Sequence, residues 1–176
     1  MTNPVTEAIR TRRSIRKYRT EQIKDEELVT VLEAGTFAPT GRNKQEPFII
    51  AVQKPEIIDR LVKMNAEIMG TDQNPYYGAP TIVLVFAPEV SLNKNSVQDG
   101  SLILGTMMLA AHSVGLASCW INREMEMFAT EEGRSLMAEL GIPDNYIGIG
   151  ALSLGYSAIP LPKPLPRKEN YYRIIK

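Results

Sequence analysis

The sequence predicts one mixed α and β domain packed around a buried central helix. Three observations predict it. The run Leu102 to Ala111 is almost wholly apolar and uncharged, and Leu, Met and Ala favour helix. Asp99 and His112 bracket that run, which is roughly half the 20 or so apolar residues of a membrane span and so fits a buried core helix. Four short apolar runs, PFIIAV, APTIVLVFA, LASCWI and YIGIGALSL, read as strands interleaved with helical patterns. With 176 residues and 44% hydrophobic content, the chain suffices for one domain with a real core.

In chain order, Asn3 and Pro4 open a first helix as cap and first helical residue. An arginine-rich cluster follows: Arg10, Arg12, Arg13, Arg16, Lys17 and Arg19. It is either a basic surface patch or a phosphate site, because the planar guanidinium suits bidentate phosphate contacts. Asp25 caps a second helix, DEELVTVLEAGTFA, closed by Pro39. Thr40 to Gln45 is a polar loop, either a simple connector or a ligand-facing loop offering Asn43 and Gln45.

Pro47 to Val52 is the first strand. Lys54-Pro55 starts a third helix through Leu61 and Met64. The stretch from Asn65 to Gly78 reads as irregular, with Tyr76 and Tyr77 as lid residues or as an apolar anchor for the loop. Ala79 to Ala87 is the strongest strand signal, and its unbroken hydrophobicity predicts cover on both faces. The central helix follows, apolar on every face and so expected to be buried on every face. Gly115 ends it and LASCWI is the strand behind it. A fifth helix spans Thr130 to Leu140, and Tyr146 to Leu154 is the last strand. Ile159 to Pro166 alternates proline with larger residues and must run extended. It leads to Tyr171, Tyr172, Ile174 and Ile175, which need a surface to dock on.

Composition narrows the function. Lys plus Arg and Asp plus Glu are 20 each, so there is no general attraction to nucleic acid. The single cysteine, Cys119, excludes an internal disulfide, and charges beginning at Glu7 leave no apolar leader after Met1; a cytoplasmic protein, not membrane-bound, is the expectation. One histidine and no Cys/His cluster argue against a metal site. No G-x-G-x-x-G or P-loop pattern is present, so a bound phosphate would have to be held by arginines. The Met64, Met69, Met107 and Met108 set reads as core filler.

Five segments, in order, resemble the FMN-dependent nitroreductase family: RTRRSIRKYR, APTGRNKQEPFIIAV, MGTDQNPYYGAPTIVLVFA, DGSLILGTMMLAAHSVGLASCWIN, and ALSLGY followed by PRKENYY. The resemblance covers nearly the whole chain. It implies a single α+β domain with a mainly antiparallel sheet flanked by helices and an extended C-terminal arm. It also implies a homodimer with sites at the subunit interface, non-covalent FMN, and NADH or NADPH as reductant. The implied small-molecule electron acceptors are nitroaromatics, quinones or similar compounds. Other flavin chemistry on the same fold, such as reductive dehalogenation or flavin fragmentation, and a non-enzymatic flavin carrier are the alternatives.

By that resemblance Arg12, Arg13 and Ser14 hold the phosphate and ribityl chain, and Arg16 lies near the pyrimidine edge. Asn43 and Gln45 border the ring, and the backbone around Asn122 and Arg123 approaches its N5 side. Arg167, with Lys168 or Lys163, completes the phosphate site. The sequence departs from the family pattern where Glu46 follows Gln45 and Phe48 follows Pro47, and in the PKPLPRK tail. No catalytic side chain is expected, because the flavin carries the chemistry.

Overall fold

The computed structural model describes residues 2–176. Four strands form one antiparallel sheet in the order β1-β2-β4-β3, comprising β1 (Phe48–Val52), β2 (Thr81–Pro88), β3 (Ala117–Ile121) and β4 (Tyr146–Gly155). The helices are α1 (Pro4–Thr11), α2 (Asp25–Thr36), α3 (Pro55–Met69), α4 (Ser96–Ser113), α5 (Glu124–Met127) and α6 (Glu131–Glu139). No helix among the described residues is long and apolar enough to cross a membrane.

Alternation along β2 builds two cores, because successive side chains of a strand point to opposite faces. Ile82, Leu84 and Phe86 join Leu61 and Met64 of α3, Met127 of α5 and Leu136 of α6. Val83 and Val85 join Leu28 and Val31 of α2 and Leu104 and Met107 of α4. The rings of Phe86 and Phe128 meet edge to face, with centroids 4.8 Å apart. β2 is buried along its whole length, as its unbroken hydrophobicity predicts.

Several local signals act as expected. The Asn3 side chain accepts from the Thr6 backbone N–H at 2.9 Å, and Thr130 accepts from Gly133 at 3.0 Å. Gly115, at φ 81°, makes the turn between α4 and β3. Others do not. Lys24, not Asp25, is the cap of α2, and its backbone N–H is taken by Glu27. α3 runs on to Met69, so Asn65 is helical, and α5 is an additional short helix. Met69 is 50% exposed while Met64, Met107 and Met108 are buried.

The central helix is not buried all round. Ile103, Leu104, Met107, Met108 and Ala111 form the buried stripe of α4, but Leu102 is 48% exposed. Two small sheet-covering layers cannot wrap a helix that is apolar on every side.

Residues 14–19 run along the sheet margin. Ser14 bridges Ser118 of β3, and the Ile15 N–H donates to the Ser118 carbonyl at 3.1 Å. Farther on, Tyr18 bridges Ser157 just past β4. The arginine cluster is thereby fixed beside β3. Beyond Ser157 the chain is extended and largely exposed to its end.

Candidate functional site

The end of α1 delivers Arg12 and Arg13 to a cavity of about 210 Å³ that is also lined by His112, Ser118, Ser157 and Leu161. Arg13 Nη1 donates to the carbonyl of Arg10 at 2.7 Å and to that of Arg12. Three guanidinium nitrogens, Arg12 Nη1, Arg13 Nε and Arg13 Nη2, are buried without a partner among the described residues. A buried donor on a charged group is costly to leave unpaired. Burial, then the adjacent charge of Arg13, lowers the Arg12 pKa, and Arg167 of the arm adds to the same positive field. An anion with several acceptor oxygens fits this donor set.

His112 sits at the end of α4 with its Nε2 2.8 Å from Thr11 Oγ1. Burial, then the charges of Arg12 and Arg13, lowers its pKa. It pairs with the Thr11 hydroxyl in the cavity wall.

At the other end of β3 the chain turns through Asn122 and Arg123. Arg123 is left-handed, φ 82°, a conformation that is strained for a residue with a Cβ. The Trp120 indole N–H donates to Asn122 Oδ1 at 2.8 Å. Arg123 Nε donates to Asn65 Oδ1 at 2.9 Å, and Asn65 Nδ2 donates to the Asn122 carbonyl at 2.9 Å. Behind Asn65 lie Tyr76 and Glu124, both buried, with the Tyr76 hydroxyl 3.0 Å from Glu124 Oε1. Tyr76 is therefore an anchor, while the neighbouring Tyr77 is 39% exposed and carries the Arg16 guanidinium 5.8 Å above its ring.

Ser14 and Arg16 thus stand with Arg12 and Arg13 along β3, and Asn122 and Arg123 follow that strand. Asn43 and Gln45 do not join them within one chain. They precede β1, at the opposite edge of the sheet. Ile50, Leu84, Ala151 and Ile121 lie in one row across the four strands, so the loop and the Arg123 turn share an end of the sheet. Three strand spacings still separate their edges, roughly 14 Å. The loop is held where it stands by hydrogen bonds: Gln45 Nε2 donates to Asn43 Oδ1 at 3.0 Å, and Asp99 accepts the Gly41 N–H at 2.9 Å. Lys163 and Lys168 are exposed on the arm, and Lys168 shares a concavity with Arg167, Tyr171 and Tyr172.

Sequence reasoning missed Asn65, Glu124 and Ser118. A carboxylate in the run EMEM looks solvated, and a single asparagine carries no periodic signal. Cys119 is packed and buried, and burial raises its thiol pKa, as expected of a core residue.

The fold and cavity define an α+β protein with a basic cavity at the margin of its sheet. Residues 9–156 match the nitroreductase family, and the chain belongs to that family. It is 32% identical, over 84% of its own length and 82% of the relative's, to an Archaeoglobus fulgidus protein that carries the name NADH dehydrogenase/NAD(P)H nitroreductase. It is 26% identical to the FMN reductase [NAD(P)H] of Bacillus subtilis, over 89% of this chain and 67% of that one. The crystal structure of a Bacteroides fragilis nitroreductase with bound FMN superposes with a TM-score of 0.91 at 31% identity, covering 99% of this chain and 100% of that one.

Proposed function

We propose that this protein is an FMN-dependent NAD(P)H oxidoreductase that works as a homodimer and passes reducing equivalents, in ping-pong fashion, to nitroaromatic, quinone or similar acceptors. The observation that carries the reading is the set of three buried, unpartnered guanidinium nitrogens on Arg12 and Arg13. A singly esterified phosphate dianion is the kind of group that satisfies them, and FMN ends in one.

Bound FMN supplies hydride chemistry. The chain's own residues bind and orient it. Arg12 and Arg13 hold the phosphate, with Ser14 beside them and Arg167 adding charge from the arm, where Lys168 and Lys163 are the other candidate cations. Arg16, kept in place by the Tyr77 ring, presents a fixed cation to the pyrimidine edge and favours charge developing there. The turn at Asn122 and Arg123 faces the ring. Asn43 and Gln45 reach the ring from a second subunit, since their own sheet edge is the far one.

Exposed apolar surface supports the dimer. Phe37 is 80% exposed, Leu165 81%, and Tyr171, Tyr172 and Ile175 each more than 80%. An apolar groove between α1, α2 and α4, lined by Val5, Ala8, Leu109 and Ala110, remains uncovered in the single chain. Side chains of this kind, this exposed, mark an interface.

The test is the purified protein's absorbance spectrum before and after anaerobic NAD(P)H, followed by heat release and chromatography of the cofactor. The expected result is a yellow protein that bleaches and yields FMN. Recovery of FAD, or of no flavin, overturns the proposal.

A further inference from the structure

One buried cluster lies outside the anion cavity and has no part in the function described so far. Asn65, on α3, is fully buried, as is Tyr76 in the segment after it, and Glu124 is 1% exposed at the start of α5. The Asn65 amide has two N–H groups and three acceptors in reach. One N–H goes to the Asn122 carbonyl at 2.9 Å, and the other is shared between Tyr76 Oη and Glu124 Oε1, each at 3.3 Å. Its carbonyl oxygen takes the Arg123 guanidinium. One side chain therefore grips both residues of the turn. Tyr76 is itself pinned, because Ser153 of β4 donates to its carbonyl at 2.9 Å. The next residue, Tyr77, carries Arg16.

We propose that Asn65, Tyr76 and Glu124 form a positioning clasp that fixes the separation between Arg16 and the Asn122–Arg123 turn, and so sets how strongly the site prefers reduced over oxidised flavin. The inference rests on the functional reading above. Arg16 and the Asn122–Arg123 turn are joined behind the site through this buried cluster and then through Tyr77, its half-exposed end. The cluster spans four segments that are distant in sequence, α3, the Tyr76–Tyr77 segment, the turn and α5. The left-handed backbone at Arg123 persists only where its surroundings over-determine it, and Asn65, which holds the Asn122 carbonyl and the Arg123 guanidinium, is part of those surroundings.

The experiment measures dissociation constants of oxidised and reduced FMN for the whole protein and for Tyr76→Phe, Asn65→Leu and Glu124→Gln. Leu136→Ala, in the same core, serves as a control for general destabilisation. Tyr76→Phe and Asn65→Leu are expected to weaken reduced FMN about tenfold more than oxidised FMN, the scale of one lost hydrogen bond near a charge. Glu124→Gln keeps an acceptor for Tyr76 and holds the ratio within about twofold. If Asn65→Leu does not fold, Tyr76→Phe, which removes one hydroxyl, decides alone. A ratio unchanged in Tyr76→Phe, or shifted equally by Leu136→Ala, overturns the clasp while leaving the functional reading intact. A wild-type protein that takes up no FMN overturns the functional reading itself.

Discussion

The Tyr76 hydroxyl donates to Glu124 Oε1 at 3.0 Å, in a pocket that leaves the other carboxyl oxygen of Glu124 buried without a partner among the described residues. Burial pushes the Glu124 carboxyl from 4.5 up to about 8, only partly offset by its own backbone N–H, by Tyr76 and by Arg123, while Glu126 raises it further. The folded chain thus keeps a proton that the unfolded chain gives up near pH 4.5.

Stability follows in sign. It is greatest below about pH 4.5 as far as this group is concerned, falls as pH rises, and levels off above about 8, where both states are ionised. Each pKa unit is worth about 1.4 kcal/mol, so the full loss is on the order of a few kcal/mol. Glu124→Gln, which mimics the protonated acid, is expected to flatten the fall between pH 5 and 8. Urea midpoints across that range check it, and an equally steep fall in the variant refutes it.

Arg12→Ala is expected to lose flavin and keep its fold. A hydrogen bond to a charged group contributes about 1.5–3 kcal/mol, which is roughly ten- to a hundredfold in affinity. Arg13→Ala should lose flavin too, and also fray the end of α1, because its Nη1 holds the Arg10 carbonyl. Flavin occupancy beside far-UV circular dichroism separates the two effects. Full occupancy in Arg12→Ala would reduce that residue to surface charge.

Truncation after Pro166 removes Arg167 along with the exposed Tyr171, Tyr172, Ile174 and Ile175. Dimer stability and flavin content should fall together. Light scattering at micromolar concentration and the ratio of flavin to protein absorbance report the two. A flavin-loaded, active monomer of the intact chain would refute the shared site.

Gly133→Ala should destabilise although alanine is the better helix former by about 1 kcal/mol. An added Cβ would lie 2.1 Å from the Met127 carbonyl oxygen and 2.6 Å from Phe128 Cα, and backbone cannot move aside cheaply. The net loss is about 1–3 kcal/mol, the scale of overpacking. Denaturant titration measures it, and a gain in stability would show that the turn before α6 is slack.

Much of the fold was legible because its signals are local or periodic. Asn3 and Thr130 announce their helices, Gly115 its turn, and the run from Thr81 to Ala87 a strand covered on both faces. The arginines were legible as a cluster because Arg12, Arg13 and Arg16 stand close together in sequence, but whether they form a surface patch or a phosphate site was not. Pairing across space was not. Nothing around Asn43 says that its loop stands at the opposite sheet edge from Ser14, since strand order is fixed by the return of β4 between β2 and β3. Asn65 was invisible for a similar reason: its partners lie 11, 57, 58 and 59 residues away. Leu102 misled because a helix apolar on every side is also what a second subunit would cover.

The place of β4 has a consequence for synthesis. β1 and β2 can pair early, across α3 alone, but the other edge of β2 waits for residues 146–155, made long after it. β3 has no sheet partner until the same moment, apart from the bridge from Ser14. At about 5–20 residues per second, a ribosome finishes β2 several seconds before β4 emerges. For that interval the most hydrophobic strand presents open hydrogen-bonding groups, the situation that invites pairing with another nascent chain. One late strand therefore closes the sheet from the middle, and the folding rate should respond to changes in Tyr146–Gly155 far more than to changes in α1.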